Sequence, residues 1–366
     1  MTVPGEFSYR EISTQGASWR SAIEAVLGLQ GDLQALMERN AGRPVLFIGC
    51  GSTHYLALYA APFFQQVTGR PSRGCPSSEL WLQSDTLLTP AQRPLIVALS
   101  RSGETSETIR AVEMSRRLGC EALTISCYER TALAAASTLT VSIPGGREES
   151  YAQTRSFAGM LVAVQVLAAL SAAPAPQAFP SLLDELAQLP ALAEGLVERA
   201  RAVAQRFGPR EAHKRITYLG SGPLYGLAGE ATVKMKEMSL SVAEPFHFME
   251  FRHGPMALVD AEHLTVALLS ERARAYELGV LRDLQEKGGH VLAIANHGHG
   301  LGERFDGLLD LDAPLSEAAC GVLYLPLLQF LAYYRALGRG LNPDRPRHVV
   351  MAIRLDGPEM IHEPAL

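Results

Sequence analysis

The sequence predicts an α/β protein made of two doubly wound domains, each with a parallel sheet. The first observation is an internal repeat, in which Arg43–Ser52 resembles Arg215–Gly222 with Gly49 and Gly220 offset by 171 residues. The second is that the repeated segments are short, continuous apolar runs, as expected for parallel strands buried on both faces. The third is that longer helical segments separate these runs, as right-handed crossovers require.

The strands of the two copies correspond in order along the chain. After the first pair, Ile96–Ser100 corresponds to Val266–Ser270, and Leu123–Ser126 corresponds to Leu292–Ala295. The helices between them are predicted at residues 106–118 and 274–287. In a doubly wound sheet the ligand binds at the carboxyl ends of the strands, where residues 49–53 and 100–105 fall.

The repeat divides the chain into five parts. These are an N-terminal helical segment (1–40), a first domain (41–175), a linker and helix (176–205), a second domain (206–350) and a C-terminal tail (351–366). Four prolines between Ala172 and Pro190 indicate the linker. The apolar segments 157–173 and 322–334 carry a glutamine or a proline and are interpreted as buried core helices.

Composition excludes several classes of protein. The 366 residues carry a net charge of −5 without a long basic run, so neither nucleic acid nor a membrane is expected as a partner. The five cysteines show no metal-ligand spacing, which favours free thiols in a reducing cytoplasm. The N-terminus lacks the apolar core of a signal peptide.

Residues Ser100–Thr105 predict an anion-binding loop. Three hydroxyl side chains and a glycine follow an apolar strand and precede a helix expected to begin near Gly103. Backbone N–H groups and the helix dipole there favour a phosphate. The alternative is an ordinary helix cap with a capping glutamate.

A second candidate site follows the glycine loop at Gly220. Lys234 and Glu237 are three residues apart and share a helix face, so the ammonium keeps the carboxylate ionised and able to act as a base. The alternative is a solvated face that includes Glu230. His253 precedes Gly254-Pro255 and is either a functional or a capping histidine. The spacing of His247, Glu250 and His253 does not favour a metal site.

These motifs resemble the sugar isomerase (SIS) domain pair of glucosamine-6-phosphate synthase and its deaminase relatives. The resemblance rests on Cys50–Thr53, Ser100–Thr105, Glu230–Glu237 and His253-Gly254-Pro255, and covers roughly residues 10 to 350. It implies two flavodoxin-like three-layer sandwiches that bind a small sugar phosphate without a cofactor or a metal. It also implies a homodimer with shared active sites.

The resemblance implies a role for each matching residue. The residues that it assigns to phosphate and sugar binding are Cys50, Gly51, Ser52, Thr53, Ser100, Arg101, Ser102, Thr105 and Gln153. Arg101 stands where the synthases carry glutamine, and Gln153 falls beside the sugar hydroxyls. The catalytic set comprises Glu237, which moves a proton between carbons 1 and 2, His253, which assists ring opening from the neighbouring subunit, and Lys234.

Two departures from the synthases favour deamination over synthesis. The first is that Thr2 follows Met1 and the repeat begins by Arg43, so no glutamine-hydrolysing domain with an N-terminal cysteine is expected. The second is that Met351 stands where the synthases carry a Schiff-base lysine. The leading hypothesis is a glucosamine-6-phosphate deaminase.

Other functions remain open at this point. An enzyme with the same chemistry could be a phosphosugar isomerase, act on galactosamine-6-phosphate or a fructosamine phosphate, or have ammonia-dependent aminotransferase-like activity. A non-catalytic sugar-phosphate sensor is the alternative of another class. It is less favoured because residues 1–40 are short and acidic for a DNA-binding domain.

Overall fold

The computed structural model describes residues 3–89, 92–172 and 182–355. These residues form two compact units. The first unit contains residues 17–147, 155–172, 182–187 and 350–355, and the second contains residues 3–16, 148–154 and 188–349. Each unit is built around one parallel sheet of five strands.

The first unit has the strand order β2-β1-β3-β4-β5, with all neighbours parallel. Its strands are β1 (Val45–Gly49), β2 (Ser72–Pro76), β3 (Leu95–Ser100), β4 (Ala122–Ser126) and β5 (Leu139–Ser142). Its helices are α3 (Gln30–Arg39), α4 (Ser52–Thr68), α5 (Ser77–Leu82), α6 (Ser106–Arg117), α7 (Ala132–Ala136) and α8 (Arg155–Ser171). Strands β1, β3 and β4 are buried at every position, as the continuous apolar runs predict.

The second unit repeats this topology with the order β7-β6-β8-β9-β10. Its strands are β6 (Arg215–Gly220), β7 (Ala243–Phe246), β8 (His263–Leu268), β9 (His290–Ala295) and β10 (Gly307–Asp310). Its helices are α1 (Glu6–Ser13), α10 (Leu224–Ser239), α11 (Phe248–Phe251), α12 (Arg274–Glu286) and α13 (Leu325–Gly338). Helices α2 (Gln15–Leu27) and α9 (Leu182–Phe207) each contribute residues to both units. The predicted pair of doubly wound parallel sheets is confirmed.

Gly49 and Gly220, the pair that revealed the repeat, have the same steric role. A Cβ at Gly49 would lie 2.3 Å from the Thr53 carbonyl oxygen, and one at Gly220 would lie 2.5 Å from that of Leu224. In both units the end of a strand touches the first turn of the next helix. Only glycine allows this approach, which brings the helix N-terminus close to the carboxyl edge of the sheet.

The two long apolar segments lie inside the units, as the sequence predicts. Every residue from Ser156 to Ala168 in α8 is buried. Within the described residues, one helical segment, Cys320–Gly338, has the length and composition to cross a membrane, and 89% of that window is buried. Helix α13 of this segment packs against α10 in the second unit.

Two boundaries need comment. Helix α6 begins at Ser106, as the predicted segment 106–118 has it and not near Gly103, because residues 101–105 form a loop. Helix α9 begins at Leu182 and contains Pro190, so the segment 182–190 of the predicted linker is helical. Residues 173–181 of that linker and residues 356–366 of the predicted tail lie outside the described residues.

Candidate functional site

The loop after β1 is closed by two hydrogen bonds that involve the Thr53 hydroxyl. The Cys50 N–H donates to Thr53 Oγ1 at 2.9 Å, and the same hydroxyl donates to the Cys50 carbonyl oxygen at 2.9 Å. Gly51, with φ 57° and ψ −125°, precedes the first residue of α4. Ser52 and Thr53, the first two residues of α4, are only 4% and 3% exposed.

The loop after β3 is ordered by two serine hydroxyls. Ser100 Oγ accepts from the Gly103 N–H at 3.1 Å, and Ser102 Oγ accepts from the Glu104 N–H at 3.2 Å. Thr105 occupies the N-cap position of α6, but its side chain makes no capping bond. Its hydroxyl is therefore not committed to holding the helix, in contrast to an ordinary N-cap.

Glu104 does not act as a capping glutamate either. Its Oε1 accepts from the Ala132 N–H at 3.2 Å, and its Oε2 pairs with Arg354 at 3.2 Å. The alternative interpretation of Ser100–Thr105 as a plain capping box therefore does not match the bonds that these residues make. The positive end of the α6 dipole lies behind this loop, which suits an anion.

The described end of the tail, residues 350–355, packs over the start of α6. Arg101 is 4% exposed, and its Nη2 donates to the Met351 carbonyl oxygen at 3.3 Å. The Ser106 N–H donates to the Ile353 carbonyl oxygen at 3.1 Å. The Met351 backbone thus contacts the loop, and Met351 lines a cavity of about 550 Å³ together with Ser102 and Tyr128.

Cys50 has the surroundings of a packed residue rather than of a nucleophile. Its Sγ lies 3.4 Å from Thr108 Oγ1. Burial is the main reason why the pKa of this thiol is raised above its usual value. A raised pKa disfavours the reactive thiolate. The predicted place of Cys50 in the binding loop therefore depends on its backbone and its small size.

Helix α10 carries a buried charge cluster in the second unit. Lys234 Nζ lies 2.6 Å from Glu237 Oε2 and 3.5 Å from Glu230 Oε1. The side chains of Lys234 and Glu230 are 1% and 3% exposed, whereas that of Glu237 is 26% exposed. The solvated-face alternative is therefore wrong. Burying an ammonium requires charged partners, and only one of these partners reaches the surface.

His253 and Gln153 also lie in the second unit. His253 is exposed, and its backbone N–H donates to the Glu250 carbonyl oxygen at 2.9 Å, which ends α11 in a turn. Gln153 is half-buried, and its Oε1 is a buried atom for which the described residues offer no hydrogen-bond donor.

The second unit has a counterpart of the Ser100 loop, in which a glutamate of the same unit occupies the hydrogen-bond donors. Ser270 Oγ accepts from the Ala273 N–H at 3.0 Å, just as Ser100 accepts from Gly103. However, the Ser270 N–H and hydroxyl both donate to Glu277, at 2.8 and 2.9 Å. Glu277 is 1% exposed, and burial is the main cause of its raised pKa. The Glu277 carboxylate therefore occupies N–H and O–H donors of the kind that bind an anion.

Sequence reasoning did not identify Glu277. The available signal was its spacing, since Glu277 follows Ser270 by the same seven residues that separate Glu107 from Ser100. The predicted phosphate-binding residues therefore lie in the first unit, and Lys234, Glu237, His253 and Gln153 lie in the second. Their action on one ligand stays a prediction.

The strand order 2-1-3-4-5, present twice in the chain, defines a tandem flavodoxin-like protein. In the first unit a hydroxyl-lined loop lies at the switch point of the sheet, where this fold binds its ligand, and it suits a small anion. The sequence model of the SIS domain matches residues 39–170 and 210–334. The chain belongs to the SIS domain family, as its motifs predict.

Sequence relatives include two glutamine–fructose-6-phosphate aminotransferases (isomerizing). The enzyme of Acidithiobacillus ferridurans is 30% identical over 96% of this chain and 59% of its own length. That of Thermus thermophilus is 29% identical over 88% of this chain and 54% of its own length. The chain thus spans between one half and three fifths of these relatives.

Solved structures of similar fold include three from sugar-phosphate enzymes. A glucosamine-6-phosphate deaminase of Thermotoga maritima has a TM-score of 0.73 at 25% identity, with 92% of this chain and 100% of that chain covered. The C-terminal domain of the Francisella tularensis aminotransferase has a TM-score of 0.81 at 23% identity, covering 93% and 98%. Tagatose-6-phosphate ketose/aldose isomerase of Escherichia coli has a TM-score of 0.79 at 24% identity, covering 95% and 99%.

Proposed function

We propose that this protein is an enzyme of sugar-phosphate isomerase chemistry, and specifically a glucosamine-6-phosphate deaminase. The observation that carries the proposal is the partly exposed carboxylate of Glu237, which the buried ammonium of Lys234 holds at 2.6 Å. The ammonium stabilises the negative charge of a carboxylate whose other face is open to a ligand. Such a carboxylate suits general-base catalysis.

In the proposed reaction the loops at Ser52 and Ser100 hold the 6-phosphate, and Glu237 moves the proton. The loops at Ser52 and Ser100 supply backbone and hydroxyl donors to the phosphate oxygens. His253 assists ring opening. Glu237 removes the proton from carbon 2 of the open-chain amino sugar and returns a proton to carbon 1, which leaves an imine at carbon 2. Water then adds to this imine, and ammonia leaves with formation of fructose-6-phosphate.

Met351 supports hydrolysis of a free imine over a covalent route. A thioether cannot form a Schiff base with the ketose, and the resemblance to the synthases matches Met351 to their Schiff-base lysine. Among the relatives, the Thermotoga maritima deaminase carries the proposed activity in its name. A ketose/aldose isomerase that acts on an unaminated sugar phosphate is the second candidate, because the same Glu237 chemistry without the imine hydrolysis performs that reaction.

Incubation with glucosamine-6-phosphate tests the proposal, with ammonia and fructose-6-phosphate measured separately. We expect the two products in equal amounts. A panel with galactosamine-6-phosphate, a fructosamine phosphate and tagatose-6-phosphate distinguishes the alternatives, since isomerisation without ammonia identifies the second candidate. Saturable binding of all sugars without conversion of any would instead support a sensor.

The shared-site part of the proposal has its own test. We expect a homodimer in which His253 serves the neighbouring subunit, consistent with its exposure in the second unit. Glu237→Gln and His253→Ala are each expected to be inactive. Heterodimers obtained by mixing them under exchange conditions would regain activity, because one of their two sites would hold both native residues. Continued inactivity in verified heterodimers would contradict the sharing.

A further inference from the structure

The loop of residues 148–154, which carries Gln153, is held by two buried carboxylates. Glu11 of α1 is 0% exposed and accepts from the Glu149 N–H at 2.6 Å, from the Ser150 N–H at 3.2 Å and from the Ser150 hydroxyl. Glu148 is 6% exposed and accepts from the Thr154 N–H at 2.6 Å and from its hydroxyl at 3.0 Å. Both ends of the loop are therefore fixed by charge-assisted hydrogen bonds.

Two further backbone groups of the loop are anchored from other parts of the second unit. Gln329 Nε2 of α13 donates to the Thr154 carbonyl oxygen at 3.0 Å. The Tyr151 N–H donates to the Asp344 carbonyl oxygen at 3.0 Å. The Arg345 guanidinium lies 4.1 Å from the centroid of the Tyr151 ring.

Within this well-anchored loop the side chain of Gln153 is the exception. Its Oε1 is buried, but no donor among the described residues reaches it. A buried acceptor without a partner costs about 1–3 kcal/mol, so such atoms are rare unless a ligand or a water supplies the donor. A sugar hydroxyl is a donor of the appropriate kind. The anchoring fixes the position of the amide before the ligand arrives.

We infer that Glu11 is a positioning residue for sugar recognition, because it holds the loop that presents the Gln153 amide to a hydroxyl of the sugar. This inference deepens the proposed function and rests on it for the class of ligand. The N-terminal helix α1 then belongs to the binding machinery through one carboxylate. Loss of that carboxylate loosens the loop without touching the phosphate-binding residues of the first unit.

The test compares two ligands by titration calorimetry. Inorganic phosphate reports the phosphate loops alone, and fructose-6-phosphate reports phosphate and sugar together. The ratio of the two dissociation constants is therefore the gain from the sugar. For Glu11→Gln we expect this ratio to fall at least tenfold while the dissociation constant of phosphate stays within twofold. Gln153→Leu should give the same result.

Glu277→Gln is the matched control. Glu277 is an equally buried glutamate of the same unit and also accepts from a serine N–H and hydroxyl, but it holds a different loop. We expect its ratio to equal that of the unaltered protein. An unchanged ratio in Glu11→Gln, or an equal fall in Glu277→Gln, would overturn the inference. Should Glu11→Gln fail to fold, Ser150→Ala takes its place, because it removes the hydroxyl that donates to Glu11 and to the Ala152 carbonyl oxygen. An unchanged ratio in that variant would overturn the inference equally.

The inference and the proposed function can fail separately. A protein that releases no ammonia but loses the fructose-6-phosphate preference in Glu11→Gln would refute deamination and support the positioning role. A protein that deaminates with the same KM and kcat in Glu11→Gln as in the unaltered chain would refute the positioning role alone.

Discussion

Lys234 Nζ lies 2.6 Å from Glu237 Oε2, and the lysine is buried while the glutamate reaches the surface. The pair therefore combines a structural and a chemical role. The ammonium offsets the charge of Glu230 within the second unit and that of Glu237 at its surface. The following predictions separate the two roles.

Lys234→Met is expected to destabilise the protein strongly. The substitution keeps an unbranched side chain but removes the ammonium that lies 3.5 Å from the buried Glu230 carboxylate, which costs about 3–5 kcal/mol. Chemical denaturation measures the change. The control is Lys236→Met on the same helix, where the lysine is exposed and the change should stay within about 0.5 kcal/mol. Similar losses in both variants would contradict the buried-cluster interpretation.

Glu237→Gln is expected to lower turnover of glucosamine-6-phosphate by about 10²–10⁴-fold, since the amide cannot accept the proton. Binding of fructose-6-phosphate should change by no more than about twofold, because the phosphate loops are intact. Ammonia release and calorimetry measure the two effects. Glu244→Gln, an exposed glutamate of the same unit, is the control. Undiminished ammonia release in Glu237→Gln would remove this residue from the mechanism.

Gly103→Ala is expected to disrupt the loop after β3. A Cβ at this position would lie 2.3 Å from Thr131 Oγ1, and φ is +67°. Gly42→Ala is the control, because its φ is +77° but nothing lies within 4 Å of the added atom. Gly42→Ala should cost about 1 kcal/mol from backbone strain alone. Gly103→Ala should cost about 1–3 kcal/mol more from the clash and should weaken phosphate binding. Equal unfolding free energies would contradict the clash.

His213 is expected to make stability fall in mild acid. It is 3% exposed, and burial followed by the charge of His290 lowers its pKa to about 4. The unfolded chain takes up this proton near pH 6.5, so folding loses stability as the pH falls from 6.5 to 4 and the loss levels off below that. The loss from this group amounts to roughly 3 kcal/mol.

His213→Leu should remove this component of the pH dependence. The free energy of unfolding, measured by denaturation between pH 7 and pH 4, should decline less steeply in the variant than in the unaltered protein. His263, whose pKa is also lowered by burial, remains in both proteins and cancels in the difference. His299→Leu, at an exposed position, is the control and should leave the slope unchanged. Parallel slopes for all three proteins would contradict the assignment.

Local sequence was sufficient to predict the strands and the loops that follow them. Apolar runs such as Leu95–Leu99 can be stable only when both faces are covered, and Gly49 and Gly220 mark close contacts within a few residues of each strand. The burial of Lys234 was not predictable in this way. A helical segment with four charged residues has the same sequence pattern whether those residues face water or are buried, and only tertiary packing distinguishes the two cases.

The sequence by itself determined the repeated α/β architecture, the position of both hydroxyl-rich loops and the spacing that puts Lys234 beside Glu237. These features depend on interactions within about ten residues, where the period of a helix or strand fixes the geometry. Tertiary structure alone decided that Glu11 holds residues 149 and 150. Glu11 is 138 residues from Glu149, and a contact at that separation depends on how the chain folds back rather than on any local pattern.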